Sequence, residues 1–129
     1  MKPEVKALWV EALRDGGYSQ GTNFLRTPTN EFCCLGVLCD LYDSHRRLCG
    51  AEPGWEVEDD MNAAPEEGRQ KWEFLGVGRA LPNEVVAWAG LTENDPIVEG
   101  HHLSRYNDGS AAEPGRDFYA IADLIEENL

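Results

Sequence analysis

The chain has 129 residues, of which 24 are Asp or Glu and 11 are Lys or Arg, so its formal net charge is −13 at pH 7. A chain of this length predicts one domain, spanning 1–129, that buries a core without needing a disulfide or a metal to fold. A protein that binds the phosphate backbone needs a basic patch, and the basic run here is only Arg46-Arg47. The composition therefore argues against direct binding to nucleic acid.

The start of the chain, its lack of a long apolar run and its cysteines predict a cytoplasmic protein. The polar start, Met1 to Lys6, leads directly into a helical pattern rather than into a signal peptide, and no apolar run approaches the roughly 20 residues of a membrane span. Cysteines stand at four positions: Cys33, Cys34, Cys39 and Cys49. Small secreted domains space their cysteines along the whole chain, so we expect these to be free, mostly buried thiols in a reducing cytosol.

The first part of the chain predicts two helices with a small β-hairpin between them. An apolar stripe at helical spacing predicts a helix over about 3–15, ended by a pair of glycines. Residues 18–32 have a strand pattern, turn residues at 28–30 and a second short strand, which together predict the hairpin. A second helix is expected over 34–47, where Gly36 would permit close packing against a neighbour.

The second part of the chain opens with an acidic excursion over 49–69, in which glycines and prolines punctuate seven acidic residues. We expect a long surface loop there with a short strand around 55–57. The remaining predicted elements are a strand at 72–77, a helix between Pro82 and Gly90, an irregular segment at 91–115 and a final helix from 116 or 117 to 127. Four helices, a small hairpin and one further short strand define an α+β domain dominated by helices. Its large core members are expected to be Trp9, Trp88 and Phe118.

The run FCCLGVLCDL, from Phe32 to Leu41, resembles the central motif of a family of small phage and prophage proteins that have no established activity. Other segments that fit the same pattern are Leu25-Arg26-Thr27, Leu81-Pro82, Trp88 to Leu91, Asn107-Asp108 and Phe118 to Leu129. The resemblance covers most of the chain and is weakest in the acidic excursion. It implies a phage gene whose product acts in the cytoplasm of the bacterial host, and it carries over no mechanism.

The cysteines raise the possibility of a nucleophile. Cys33 or Cys34 lies where a strand is expected to give way to a helix N-terminus, a position that lowers the pKa of a thiol. The base would come from the His101-His102 pair and be oriented by the Asn107-Asp108 pair. The alternative is that the thiols are small hydrophobic members of the core.

The same cysteines, together with the histidines, also offer the ligand types that zinc prefers. Their spacing argues against a metal site, since the sequence contains no CxxC and Cys34 and Cys39 stand five apart on the predicted helix. We therefore predict neither a metal nor a cofactor.

Five residues are candidates for a polar pocket: Arg26, Cys34, Asp40, Asn107 and Asp108. Asp40 lies within the FCCLGVLCDL run, on a helix otherwise used for packing. Asn107-Asp108-Gly109 is also a typical turn sequence. If these residues share one pocket, the ligand would be small, polar or nucleotide-like, with Arg26 contacting its anion.

The leading interpretation is a phage accessory protein that binds a host bacterial protein without catalysing a reaction. It rests on the implied setting, the small size, the acidity and aromatic loop residues such as Trp55. The alternative is a small-ligand-binding protein or a minor cysteine-dependent enzyme that uses the five candidate residues. A virion or packaging accessory is a third interpretation. Mimicry of nucleic acid would need regularly placed carboxylates, whereas those between Glu52 and Glu67 are irregularly spaced.

Overall fold

The structure is a computed structural model that describes residues 1–59 and 70–129. The elements in these ranges are α1 (Pro3–Arg14), α2 (Cys34–Leu48), β1 (Trp55–Asp59), β2 (Gln70–Phe74), α3 (Asn83–Ala89), β3 (Ile97–Val98), β4 (His101–His102), α4 (Leu103–Asp108) and α5 (Phe118–Asn128). The predicted fold class, a helix-dominated α+β domain, is confirmed. Residues 60–69, which form the second half of the predicted acidic excursion, lie outside the described residues.

Helices α1, α2 and α5 supply a large part of the core, as their apolar stripes predict. The largest fully buried side chains on these helices are Trp9, Leu13, Leu35, Leu38, Ile121 and Ile125. The indole N–H of Trp9 donates to the carbonyl of Cys34 over 2.9 Å, which joins the middle of α1 to the start of α2. Phe118 is buried as expected, whereas Trp88 is only half-buried and packs at the edge of the core.

The segment between α1 and α2, residues 15–33, is called here the connecting segment. The β-hairpin predicted within it is reduced to one antiparallel bridge, between Arg26 and Phe32, and Phe32 also forms an isolated parallel bridge with Gln20. Asn23 has a φ angle of 71°, which interrupts the first predicted strand. Asn30, with a φ angle of 61°, lies in the predicted turn, where a left-handed asparagine fits. The segment is therefore an irregular loop that lies against α2.

The antiparallel pair is formed instead by β1 and β2, which we call the β1–β2 hairpin. β1 includes the strand predicted around 55–57. β2 ends at Phe74 rather than at Val77, because Leu75 and Gly76 have φ angles of 50° and 85° and turn the chain. One face of the pair carries Trp55, Val57, Trp72 and Phe74, and the other carries Glu56, Glu58, Lys71 and Glu73.

Helix α4 is absent from the sequence prediction, which assigned 91–115 to irregular structure. The carboxylate of Asp95 accepts from the backbone N–H and the hydroxyl of Ser104 and so caps the start of α4 from a distance in the chain. Asn107-Asp108 consequently forms the last turn of a helix rather than a loop turn. A six-residue helix of mostly polar composition gives too short an apolar pattern to be recognised.

Gly36 places the connecting segment directly on α2. A Cβ atom built at this position would lie 1.8 Å from the carbonyl oxygen of Leu25, far inside van der Waals contact. Leu25 itself is fully buried, and its N–H donates to the carbonyl of Gly78 over 2.8 Å. The predicted close packing at Gly36 is confirmed, and its neighbour is the backbone of the connecting segment.

Replacement of Gly36 by Ala is expected to lower the free energy of unfolding by about 2 kcal/mol. Alanine stabilises a helix relative to glycine by about 1 kcal/mol. Overpacking against a backbone atom, however, costs about 3 kcal/mol. The matched control is Gly78→Ala, whose Cβ would meet nothing closer than 3.8 Å. Urea denaturation of both variants checks this, and equal stability of the two would contradict the close approach.

Candidate functional site

The five candidate residues do not share one pocket. Cys34, Asn107 and Asp108 meet at one end of the connecting segment, where α4 approaches the start of α2. Arg26 and Asp40 belong to an aromatic cluster that joins the segment to the β1–β2 hairpin. The two groups are therefore considered separately.

The side chain of Asn107 is the hub of the first group, and it is only 2% exposed. Its Oδ1 accepts from the N–H of Cys34 over 3.2 Å and from Nε2 of Gln20 over 3.0 Å. Its Nδ2 donates to the carbonyl of Gly21 and to Oδ1 of Asp108, each over 2.9 Å. An amide has two donor hydrogens and two acceptor lone pairs. Every hydrogen bond that the side-chain amide of Asn107 can form is thus made within the protein.

These bonds explain how the start of α2 is stabilised. The first N–H groups of a helix have no partner within it. The side chain of Asn107 accepts from the N–H of Cys34, and the Sγ of Cys33 accepts from the N–H of Gly36 over 3.4 Å. The sequence does not reveal this arrangement, because Asn107 and Cys34 are 73 positions apart.

A polar cleft of about 360 Å³ opens beside Asn107 and Asp108. Oδ1 of Asp108 accepts from the N–H of Asn23 over 3.0 Å, which fixes the connecting segment at this edge. The cleft is also lined by Arg116, whose guanidinium carbon lies 4.7 Å from the ring centroid of Tyr106. Asp117 lines it too and caps α5 by accepting from the N–H of Ala120 over 2.9 Å.

The second group is an aromatic cluster around Arg26. The guanidinium carbon lies 3.7 Å from the ring centroid of Trp72, 5.4 Å from that of Trp55 and 5.2 Å from that of Phe32. Cation–π contacts of this kind attach the connecting segment to both strands of the β1–β2 hairpin. Burial lowers the pKa of Arg26, and the nearby carboxylates of Asp40 and Asp43 oppose that shift.

Asp40 completes this cluster by accepting two hydrogen bonds. Its Oδ2 accepts from the hydroxyl of Tyr18 over 2.6 Å, and its Oδ1 accepts from the indole N–H of Trp55 over 3.0 Å. Burial and the bond to Asp40 raise the pKa of Tyr18. Asp40 therefore connects α2 to the segment before it and to the strand after it.

Sequence reasoning missed Asp43, one turn further along α2. It is 4% exposed, and its Oδ1 accepts from the N–H of Gly54 over 2.7 Å, just before β1 begins. The spacing of three residues from Asp40 places both carboxylates on one face of the helix. That spacing was the available signal that α2 carries a second, polar contact face.

The three cysteines of the FCCLGVLCDL run are buried. Burial raises the pKa of Cys33 to about 12 and also raises the pKa of Cys34 and of Cys39. The predicted lowering of a thiol pKa at the helix N-terminus is wrong, because desolvation outweighs the favourable end of the helix. Cys49 is the exposed cysteine.

The histidine pair proposed as the base makes other contacts. Nδ1 of His102 lies 2.7 Å from the carbonyl oxygen of Asp95, and Nδ1 of His101 lies 3.0 Å from Nη1 of Arg105. Within residues 1–59 and 70–129, no three His, Cys, Asp or Glu side chains are grouped to hold a metal ion. In the same ranges, no helix has the length and apolar character needed to cross a bilayer.

The fold and these contacts define a class of protein: a helix-dominated α+β domain in which polar residues hold a long connecting segment against one central helix. The chain belongs to the family DUF8296, described as a domain of unknown function, which matches residues 1–129. Neither the curated proteins nor the solved structures include a significant match.

Replacement of Asn107 by Leu is expected to lower the free energy of unfolding by about 3 kcal/mol. The side chain keeps its approximate size, but the N–H of Cys34 and the carbonyl of Gly21 lose their bonds to it, at about 1–3 kcal/mol each. Asn128→Leu, the same change at an exposed position, should cost less than about 0.5 kcal/mol. Urea denaturation compares the two variants. Similar losses would show that Asn107 is not the hub.

Alkylation should distinguish Cys49 from the buried cysteines. The thiolate is the reactive form, and at pH 8 both burial and the raised pKa values suppress it at Cys33, Cys34 and Cys39. We expect iodoacetamide to add one group per folded chain, at Cys49, as counted by mass spectrometry. The variant Cys49→Ser should add none until it is denatured. Rapid modification of Cys33 or Cys34 in the folded protein would revive the nucleophile hypothesis.

Proposed function

We propose that the protein is a phage-encoded accessory protein that binds a basic surface of a host bacterial protein, in the host cytoplasm, without catalysing a reaction. The observation that carries the proposal is the exposed acidic face of the β1–β2 hairpin. The resemblance of the FCCLGVLCDL run to phage proteins supplies the setting.

The acidic face places one pair of like charges directly opposite each other. Glu56 in β1 pairs with Glu73 in β2, whereas Glu58 pairs with Lys71. Like charges in opposite positions destabilise an antiparallel pair, and opposite charges stabilise it. The Glu56–Glu73 pair therefore weakens the isolated hairpin, and a cationic partner would turn that repulsion into a favourable contact.

The hairpin also has the geometry of a docking surface. In the described part of the chain it is a sheet of two strands, so each strand has an edge without a partner. The Arg26 cluster and Asp40 hold the hairpin on α2, so little conformational entropy would be lost on binding.

The candidate residues support this proposal by the contacts they make. Asn107 forms hydrogen bonds with the connecting segment and with the start of α2. Asp40, on α2, forms one with Trp55 in β1. Arg26 stacks on the inner, aromatic face of the hairpin. Arg26 and Asp40 thus position the acidic face from behind, and a partner would contact the opposite side.

The first test is affinity capture from a lysate of the host bacterium, with the eluted complex weighed by native mass spectrometry. We expect one protein retained in near-stoichiometric amount, with retention that falls as salt is added because exposed charges are screened. The double variant Glu56→Lys with Glu58→Lys should weaken retention about tenfold or more.

The control is Glu4→Lys with Glu127→Lys, which changes the net charge equally at exposed positions on α1 and α5. It should change retention less than about twofold. Equal losses in both double variants would mean that net charge alone acts and would contradict a docking role for the hairpin. If no protein is retained but the bait itself carries extra mass, the result would favour the small-ligand alternative.

A further inference from the structure

The open groove between α2 and α3 is a separate surface whose chemistry differs from that of the acidic hairpin. Its volume is about 570 Å³, within the range of small-molecule sites. Aromatic residues line it from both helices, Tyr42 and His45 from α2 and Trp88 from α3. None of these three has a part in the contacts of the five candidate residues.

The aromatic side chains form a continuous wall. The ring centroid of Trp88 lies 5.2 Å from that of Tyr42 and 5.6 Å from that of His45, and the planes of Trp88 and His45 differ by 32°. Tyr42 and His45 are stacked at 6.5 Å. Because His45 is exposed and the other two rings are half-buried, ring faces remain available for a planar ligand.

Arg46 brings a positive charge to the same groove. Its guanidinium carbon lies 5.9 Å from the ring centroid of Tyr42, and its buried Nη1 has no hydrogen-bond acceptor among the described residues. Within those residues no carboxylate forms an ion pair with it, since the pairs there are those of Arg14. The guanidinium therefore has no anionic partner among the described residues, and because Nη1 is enclosed beside Gly54, a carboxylate or phosphate from outside the chain would meet it at its other nitrogens.

The opposite rim of the groove carries Glu84, which is exposed on α3. A carboxylate accepts hydrogen bonds but donates none. The negative charge of Glu84 therefore repels a second anionic group on a ligand, and its oxygens favour an amino or ring N–H donor on this side of the groove. The groove thus pairs a cationic end with an acceptor end across an aromatic wall.

We propose that this groove binds a small planar aromatic anion, with the ring stacked on Trp88 and His45, the anionic group on Arg46 and an N–H donor toward Glu84. Phosphate and carboxylate ligands share this chemistry, and a purine nucleoside monophosphate or an aminobenzoate would each satisfy it. The site is independent of the proposed binding through the β1–β2 hairpin.

The test follows the indole N–H resonance of Trp88 in the full chain by NMR, assigned with the variant Trp88→Phe. The probes are AMP and 4-aminobenzoate, with adenosine as the ring without the anion and inorganic phosphate as the anion without the ring. We expect AMP or 4-aminobenzoate to shift this resonance saturably, with an apparent Kd of about 1 mM or below, and each half-ligand to bind about tenfold or more weakly. Which of the two saturates distinguishes phosphate from carboxylate. Failure of both to saturate would overturn the proposal.

Matched variants test the role of Arg46. Arg46→Gln should weaken binding about tenfold, whereas Arg47→Gln, the same change at the next, exposed position, should weaken it less than about twofold. Ala87→Glu places a negative charge in the groove at an exposed helix position, where it should not disturb folding, and it should also weaken binding about tenfold. Equal effects of the two arginine changes, or unchanged binding by Ala87→Glu, would overturn the proposal.

Discussion

The direct contact of the connecting segment with α2 at Gly36 is the constraint on which the rest of the structure depends. The carbonyl of Leu25 occupies the space where any other residue at position 36 would carry its Cβ. A long irregular segment is usually mobile, because few of its backbone groups find partners inside the protein. Here Asn107 bonds the carbonyl of Gly21, and Gly78 accepts from the N–H of Leu25. The segment is thereby part of the core.

Two faces of α2 follow from this arrangement. Leu35 and Leu38 pack into the helical core. The other face carries Gly36, Asp40 and Asp43, at spacings of four and three residues, and Gly36 receives the connecting segment there. Asp40 and Asp43 face the chain leading into β1 and bond Trp55 and Gly54. The FCCLGVLCDL run can therefore be understood as the sequence of a central helix with a distinct neighbour on each side, and its cysteines as small apolar members of the core.

The sequence was informative about the elements whose structure is determined by residues close together in the chain. Helices α1, α2 and α5 have apolar stripes of several turns and clear start or stop residues, so their positions were predictable to within a few residues. Gly36 was also identifiable, since a glycine within a helix needs a packing reason. The α+β class followed from these elements.

The sequence was misleading where a distant contact decides the structure. Residues 18–32 have strand-like composition, but the positive φ angle of Asn23 and the contact at Gly36 limit the predicted hairpin to one antiparallel bridge, between Arg26 and Phe32. Asn107 bonds Cys34, which is 73 positions away in the sequence. Arg26 packs on Trp72, which is also far from it in the sequence, and no local pattern predicts either contact. Of the candidate pocket, Asn107 and Asp108 do lie together with the backbone of Cys34. Arg26 and Asp40 form a different cluster, which no spacing in the sequence reveals.

Native-state hydrogen exchange tests the central claim, that the connecting segment is an integral part of the core, most directly. The amides to follow are those of Leu25 and Cys34, with Leu38 in α2 as the reference for global unfolding. We predict that all three exchange with the same free energy, because none can open unless the core does. Exchange of Leu25 and Cys34 through a lower-energy local opening, with Leu38 still protected, would contradict this account. The segment would then be a mobile cover over the cleft beside Asn107, and that cleft would become the place to seek function.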